Sequence, residues 1–131
     1  MRQAGAMAVL AMIAVAGCAN EVETGRASYT SLCAECHGDD GTGDGPSSLA
    51  LTAKPADLTQ ISKRNGGAFP RTAIMAKIDG YAKGEPHYGA MPAFWPLLEG
   101  RTVLVETGDG ILTPTPEPLV ALAAYLESIQ E

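Results

Sequence analysis

A pair of cysteines three apart, followed at once by a histidine, dictates much of what this chain can become: Cys33-Ala34-Glu35-Cys36-His37. On a helix, residues 33, 36 and 37 point to one side. Two thiols and an imidazole then address one object. A C-x-x-C pair can serve zinc, disulfide exchange or haem. A structural zinc site needs four ligands. Beyond these three, and with Cys18 set aside as below, only His87 is left, fifty residues on. A thioredoxin-like pair sits after a strand in a βαβ unit, and no such unit is visible in the pattern.

The remaining reading is covalent haem attachment, of which C-x-x-C-H is the signature. Cys33 and Cys36 would add to the two vinyl groups along one haem edge. His37 would ligate the iron from the same side. The implied cofactor is one haem c with its iron. Both sulfurs become thioethers, so no catalytic thiolate is implied.

Iron that only carries electrons needs a sixth ligand. The candidates are Met75, His87 and Met91. Met91 lies in Gly89-Ala90-Met91-Pro92, a non-helical stretch stiffened by proline. That suits a thioether held in one geometry, and Met91 is the expected ligand. Met75 falls in a predicted helix beside Ile74 and Ile78 and reads as a core side chain. His87 lies in Glu85-Pro86-His87-Tyr88-Gly89; exposure, or a hydrogen bond near the haem, is its alternative role. An open iron is the remaining alternative.

The first residues carry a different signal. Arg2 is followed by an unbroken run of small and apolar residues from Ala4 to Ala16. The run fits a secretory leader and is short for a bilayer span, which takes about 20 residues. It ends in Val15-Ala16-Gly17-Cys18, which resembles the lipobox of bacterial lipoproteins. The alternative is an uncleaved anchor with an incidental cysteine. The expected division is 1–17 as lipoprotein-type signal peptide and 18–131 as one domain, lipidated at Cys18. Ala19 follows the cysteine where an aspartate would commonly signal inner-membrane retention. The expectation is thus the periplasmic side of a bacterial membrane, with the outer membrane favoured. Cys18 would take lipid, leaving Cys33 and Cys36 as a pair, which explains an odd count of three.

Cleavage removes one of nine basic residues and none of fifteen acidic ones, so the net charge moves from −6 to −7. Nucleic acid is excluded as a partner, since that would need a basic stripe. The charge is segmental. Residues 54–83 sum to +4, and the flanks 18–53 and 84–131 sum to −5 and −6. The basic segment is a candidate docking face for an acidic patch on a redox protein, donor or acceptor. An ordinary solvated surface is the alternative.

Along the chain, Val22, Gly25, Tyr29, Leu32 and Cys36 recur at helical steps and predict a helix over 21–36. Gly25 inside it costs about 1 kcal/mol against alanine, which implies that another helix crosses there at close range. Residues 38–46 hold four glycines and a proline and predict a loop. A short helical turn is expected after Asp57, and a helix over 70–79 stopped by Gly80. Pro86 to Pro96 is too proline-rich for a helix interior. Thr102-Val103-Leu104-Val105, then Thr107-Gly108-Asp109-Gly110, then Ile111-Leu112 predict a small hairpin over 102–112. Thr115 is the expected N-cap of the last helix, with Pro116 in its first turn. Leu119, Leu122, Leu126 and Ile129 form its apolar stripe.

Taken together, these stretches resemble the bacterial class I monohaem cytochromes c. They are Gly25-x-x-x-Tyr29-x-x-x-Cys33-x-x-Cys36-His37-Gly38, Gly41-x-Gly43-x-Gly45-Pro46, Pro55-Ala56-Asp57-Leu58, Asn65-Gly66-Gly67-x-Phe69-Pro70, Met91-Pro92, and the helix carrying Tyr125. The resemblance implies an all-α fold of three to five helices around one haem, with His37 proximal and Met91 distal. It implies that the Pro46 carbonyl accepts the other ring N–H of His37, and that Gly25 and Tyr29 pack near Tyr125. Trp95 and Tyr88 are candidates for a hydrogen bond to a haem propionate, with core packing as their alternative. The hairpin departs from the family's common pattern.

The implied function is electron transfer by a membrane-tethered carrier, not an enzyme, shuttling between exported or membrane redox partners. The alternative is a permanently bound electron-entry subunit of a periplasmic or membrane oxidoreductase, which the extra hairpin favours. A ligand sensor or haem enzyme with an open iron is the third class, and no distal acid–base cluster speaks for it.

Overall fold

The structure, a computed structural model, describes residues 20–80, 91–108 and 110–131. The readings made on 1–17, Cys18, His87 and Tyr88 lie outside the described residues. Five helices, three 3-10 turns and one two-stranded antiparallel sheet make up the described part. None of the described helices is long and apolar enough to cross a membrane.

The expected first helix appears as two. α1 covers 20–32, and α2 covers Ala34–His37. Cys33 stands between them with φ −118°. Its N–H still donates to the Tyr29 carbonyl at 2.8 Å. The N–H groups of Cys36 and His37 both converge on the Cys33 carbonyl, at 3.1 and 2.9 Å. The ladder tightens there to a shorter step rather than ending.

After the glycine-rich loop come 3-10 turns at Ser48–Ala50 and Leu58–Gln60. α3 covers Ile61–Arg64 and α4 covers Arg71–Asp79. The expected turn after Asp57 is present, with the Asp57 side chain accepting from Thr59 N–H as a cap. α4 stops at Gly80 in the left-handed region, whose N–H returns to the Ala76 carbonyl. A last 3-10 turn spans Trp95–Leu97.

The hairpin is longer than expected. β1, Thr102–Glu106, pairs with β2, Leu112–Pro116, in a register that runs from Thr102↔Pro116 to Glu106↔Leu112. Thr115 is therefore a strand residue facing Val103, not the N-cap of the last helix. Its hydroxyl donates back to the Thr113 carbonyl. The last helix, α5, starts later and covers Glu117–Ser128. No side chain caps it. Its entry is held by Glu117 N–H on the Arg101 carbonyl at 2.8 Å, and by an ion pair between the same two side chains.

α5 is the centre of the molecule. The expected stripe of Leu119, Leu122 and Leu126 is buried, and so is every other residue from 119 to 126. A helix apolar on all sides belongs in an interior. α1 crosses it at Gly25, where a Cβ would lie 1.9 Å from the Ala121 carbonyl oxygen and 2.9 Å from Tyr125 Cβ. One turn on, the Tyr29 and Tyr125 rings meet at 5.2 Å between centroids. Met75 and Ile78 of α4 complete this core, together with Leu98.

Gly25→Ala gains about 1 kcal/mol in helix propensity, but its methyl has no room. A net loss of about 2 kcal/mol is expected. That lowers the Tm of the haem-loaded protein by about 10 °C. An unchanged Tm in thermal unfolding would mean that the two helices separate at no cost.

Candidate haem site

The site is built on the C-terminal end of α2. A helix end leaves its last carbonyls without intrahelical partners. Here the glycine-rich loop supplies them. Gly43 N–H donates to the His37 carbonyl at 2.8 Å, Gly45 N–H to Cys36 at 3.2 Å, and Ser47 N–H to Glu35 at 2.9 Å. The loop runs close enough to require glycine. A Cβ on Gly45 would stand 2.5 and 2.6 Å from the carbonyl oxygens of Glu35 and Ala34. Tyr29 reinforces the same corner, its buried hydroxyl donating to the Gly38 carbonyl at 2.6 Å. Burial raises the Tyr29 phenol well above its ordinary pKa, so the hydroxyl keeps its proton as a donor.

His37 is half-buried. Its Nδ1 lies 2.9 Å from the Ala56 carbonyl oxygen. A carbonyl only accepts, so Nδ1 is the donor in this bond, and Nε2 is the nitrogen left to face a metal. The expected acceptor, the Pro46 carbonyl, does not fill this role. The backbone bonds of Gly43, Gly45 and Ser47 tie the loop to the end of α2, and Pro46 is left exposed. Segment 55–58 folds back instead. The Pro55 carbonyl oxygen lies where a Cβ on Gly43 would be, 2.3 Å away, and Leu58 N–H donates to the Gly41 carbonyl at 2.6 Å.

Cys33 and Cys36 are both half-buried and unbridged. Burial, with the neighbouring Cys36 adding to it, pushes the Cys33 thiol up to about 11. Such a thiol stays protonated at neutral pH, which is unlike an exchange-ready dithiol. Among the described residues no three His, Cys, Asp or Glu side chains converge as a metal cage. Two thiols and an imidazole with a free Nε2, presented from one helical segment, fit the thioether and axial positions of a haem.

The other candidates lie on other elements, although Cys33 and Met91 pack against the same core cluster. Met75 is buried in α4, among the core residues. Met91 is half-buried in irregular backbone and packs against the core cluster. Trp95 opens its 3-10 turn and is 58% exposed.

A family model described as Cytochrome c matches residues 22–130. The chain belongs to the cytochrome c family. Its cofactor is haem c with iron, bound covalently. Cytochromes c are generally electron carriers rather than enzymes, and electron transfer is the function class of the family. Neither a curated protein nor a solved structure matches the chain.

Sequence reasoning missed Ala56. A backbone carbonyl carries no side-chain signal, and its partner is nineteen residues away. The Pro55-Ala56-Asp57-Leu58 stretch and the cap pattern of Asp57 with Thr59 were the hints that this segment is fixed in place.

Gly45→Ala is expected to push the loop off α2 and expose carbonyls it now satisfies. The loss is about 2–3 kcal/mol, read as earlier thermal unfolding at the haem absorbance. Unchanged unfolding would show that the loop does not seat on the helix end.

Proposed function

We propose that the protein is a single-haem electron carrier with His37 and Met91 as axial ligands, held by a lipid on Cys18 at the periplasmic side of a bacterial membrane. The observation that carries the reading is the imidazole of His37, fixed by the Ala56 carbonyl next to two unbridged thiols. Bound haem supplies one-electron exchange between ferric and ferrous iron. Cys33 and Cys36 hold it in place. His37 donates through Nε2 while Nδ1–H is kept on a carbonyl, which raises the ligand's basicity.

Support for Met91 comes from its surroundings. It is half-buried in non-helical backbone before Pro92, whereas Met75 is occupied in the core. Two protein ligands leave iron no position for a substrate, which suits a carrier. Trp95, largely exposed, is the candidate partner of a propionate, with Tyr88.

Donor and acceptor are exported or membrane redox proteins that dock on the basic segment 54–83. Two of its cations are not free to steer. Arg71 is offset by its ion pair with Glu127, and Arg64 keeps its charge but is held by the Asp57 carbonyl at 2.7 Å. Lys54 and Lys63 are exposed and are the better steering charges. A second reading, a permanently bound electron-entry subunit, is favoured by the outer face of the hairpin. Leu104 and Leu112 are 63% and 57% exposed there, an apolar surface of the kind that partners cover.

Carbon monoxide tests the ligation. Ferrous wild-type protein is expected to bind it slowly, Met91→Ala within the mixing time, and Met75→Leu as slowly as wild type. Rapid binding to the wild type would sink the closed-iron reading.

Membrane vesicles carrying a redox partner test the rest. Cys18→Ala is expected to leave the membrane fraction. Lys54→Glu with Lys63→Glu is expected to slow electron transfer about tenfold at low salt and to flatten its salt dependence. Rates that ignore both substitutions would discard the docking face, and a stoichiometric complex that survives purification would favour the second reading.

A further inference from the structure

The Ala56 carbonyl belongs to the peptide whose nitrogen is that of Asp57, so the plane of that peptide aims the carbonyl. Ala56 lies in irregular backbone, with no helix or strand to hold it. Its restraint comes from the glycine-rich loop, where Leu58 N–H meets the Gly41 carbonyl, and from the residues that follow. The Asp57 carboxylate accepts from Thr59 N–H at 2.9 Å and from the Thr59 hydroxyl at 2.6 Å. The Asp57 carbonyl accepts from Arg64.

Gln130 then fastens this segment to α5. Its Nε2 donates to the Leu58 carbonyl and to the Leu126 carbonyl, both at 2.7 Å. Its Oε1 accepts from Ser62 N–H at 2.8 Å. One half-buried amide uses both donors and its acceptor to join the end of α5 to both sides of the 58–62 turn. Beside it, Glu131 N–H donates to the Thr59 carbonyl at 3.0 Å.

We propose that Gln130 and Asp57 are positioning residues for the proximal ligand: they clamp segment 56–62 so that the Ala56 carbonyl stays on Nδ1–H of His37, and through that bond they set the reduction potential. The clamp rests on the assignment of His37 as iron ligand. A firm Nδ1–H···O=C bond makes the imidazole a stronger donor, and a stronger donor favours ferric iron over ferrous. A loosened clamp therefore raises the potential. Gln130 stands ninety-three residues from His37 in the chain and need not touch the haem for this effect.

Equilibrium redox titration of the haem-loaded protein tests the clamp, together with exchange of the His37 ring proton followed by NMR in the ferrous state. Gln130→Leu and Asp57→Ala are expected to shift the ferric-to-ferrous ratio, at the wild-type midpoint, about threefold or more toward ferrous. Their ring proton should exchange faster. Asp57→Asn keeps the Oδ1 acceptor and should return most of the shift. Alanine and asparagine both remove the charge, so their difference isolates the hydrogen bond. Ser128→Ala, a neutral change near the same end of α5, should leave both readouts unmoved. If Gln130→Leu does not accumulate folded, the Asp57→Ala and Asp57→Asn pair decides alone. Potential and exchange unchanged in proteins that carry covalent haem would overturn the clamp. Wild-type protein without covalent haem on a denaturing gel would overturn the assignment of the site instead.

Discussion

The crossing of α1 over α5 at Gly25 is the contact on which the site depends. With no Cβ at Gly25, the backbone of α1 can rest on the Ala121 carbonyl. That closeness sets Tyr29 against Tyr125 and buries it to 1% exposure. The tyrosine hydroxyl then reaches the Gly38 carbonyl, one residue past His37. A packing contact and a polar anchor are thus made by the same side chain. Moving α1 outward would cost more than apolar contact, because a buried phenol and a carbonyl would both lose their partner.

From that anchor the glycine-rich loop does a second task. The segment after α2 must turn sharply, satisfy three carbonyls at a helix end, and let segment 55–58 approach from the far side. Side chains would obstruct each of these. The loop's backbone N–H groups satisfy the carbonyls that the helix end leaves open. His37 is consequently held from two directions, through its own carbonyl by Gly43 and through its ring by Ala56.

Much of this was legible in residue types and spacing. The pentapeptide, the close crossing at Gly25, the helix stopped by Gly80, the buried stripe of the last helix and the hairpin all announce themselves locally. What escaped notice is set by long-range pairing. Thr115 followed by Pro116 has the composition of a helix start, but pairing with Val103 draws it into a strand. Pro46 sits where a carbonyl for the histidine was expected, but loop-to-helix bonds leave it in solvent. Arg64 and Arg71 count as free charges in the sequence, yet one holds a carbonyl and the other a glutamate. In each case the local preference was real and a partner elsewhere in the fold overrode it.

The two ends of α5 carry different attachments. Its first turn is tied to the hairpin through Arg101 and Glu117. A carboxylate there is also favoured by the helix dipole. Its last turn is tied through Gln130 to the segment that orients His37. Between them lie eight consecutive buried residues that are rigid by packing. This separation lets the hairpin at 102–116 be attached without loading the segment that holds the His37 ring. The hairpin's inner side, Val103 and Val105, packs on the core, and its outer side is left for other contacts. Changes on that outer side act at one end of a stiff rod whose other end holds the 58–62 segment. The hairpin and the segment that holds the His37 ring are thereby fixed at opposite ends of one packed helix.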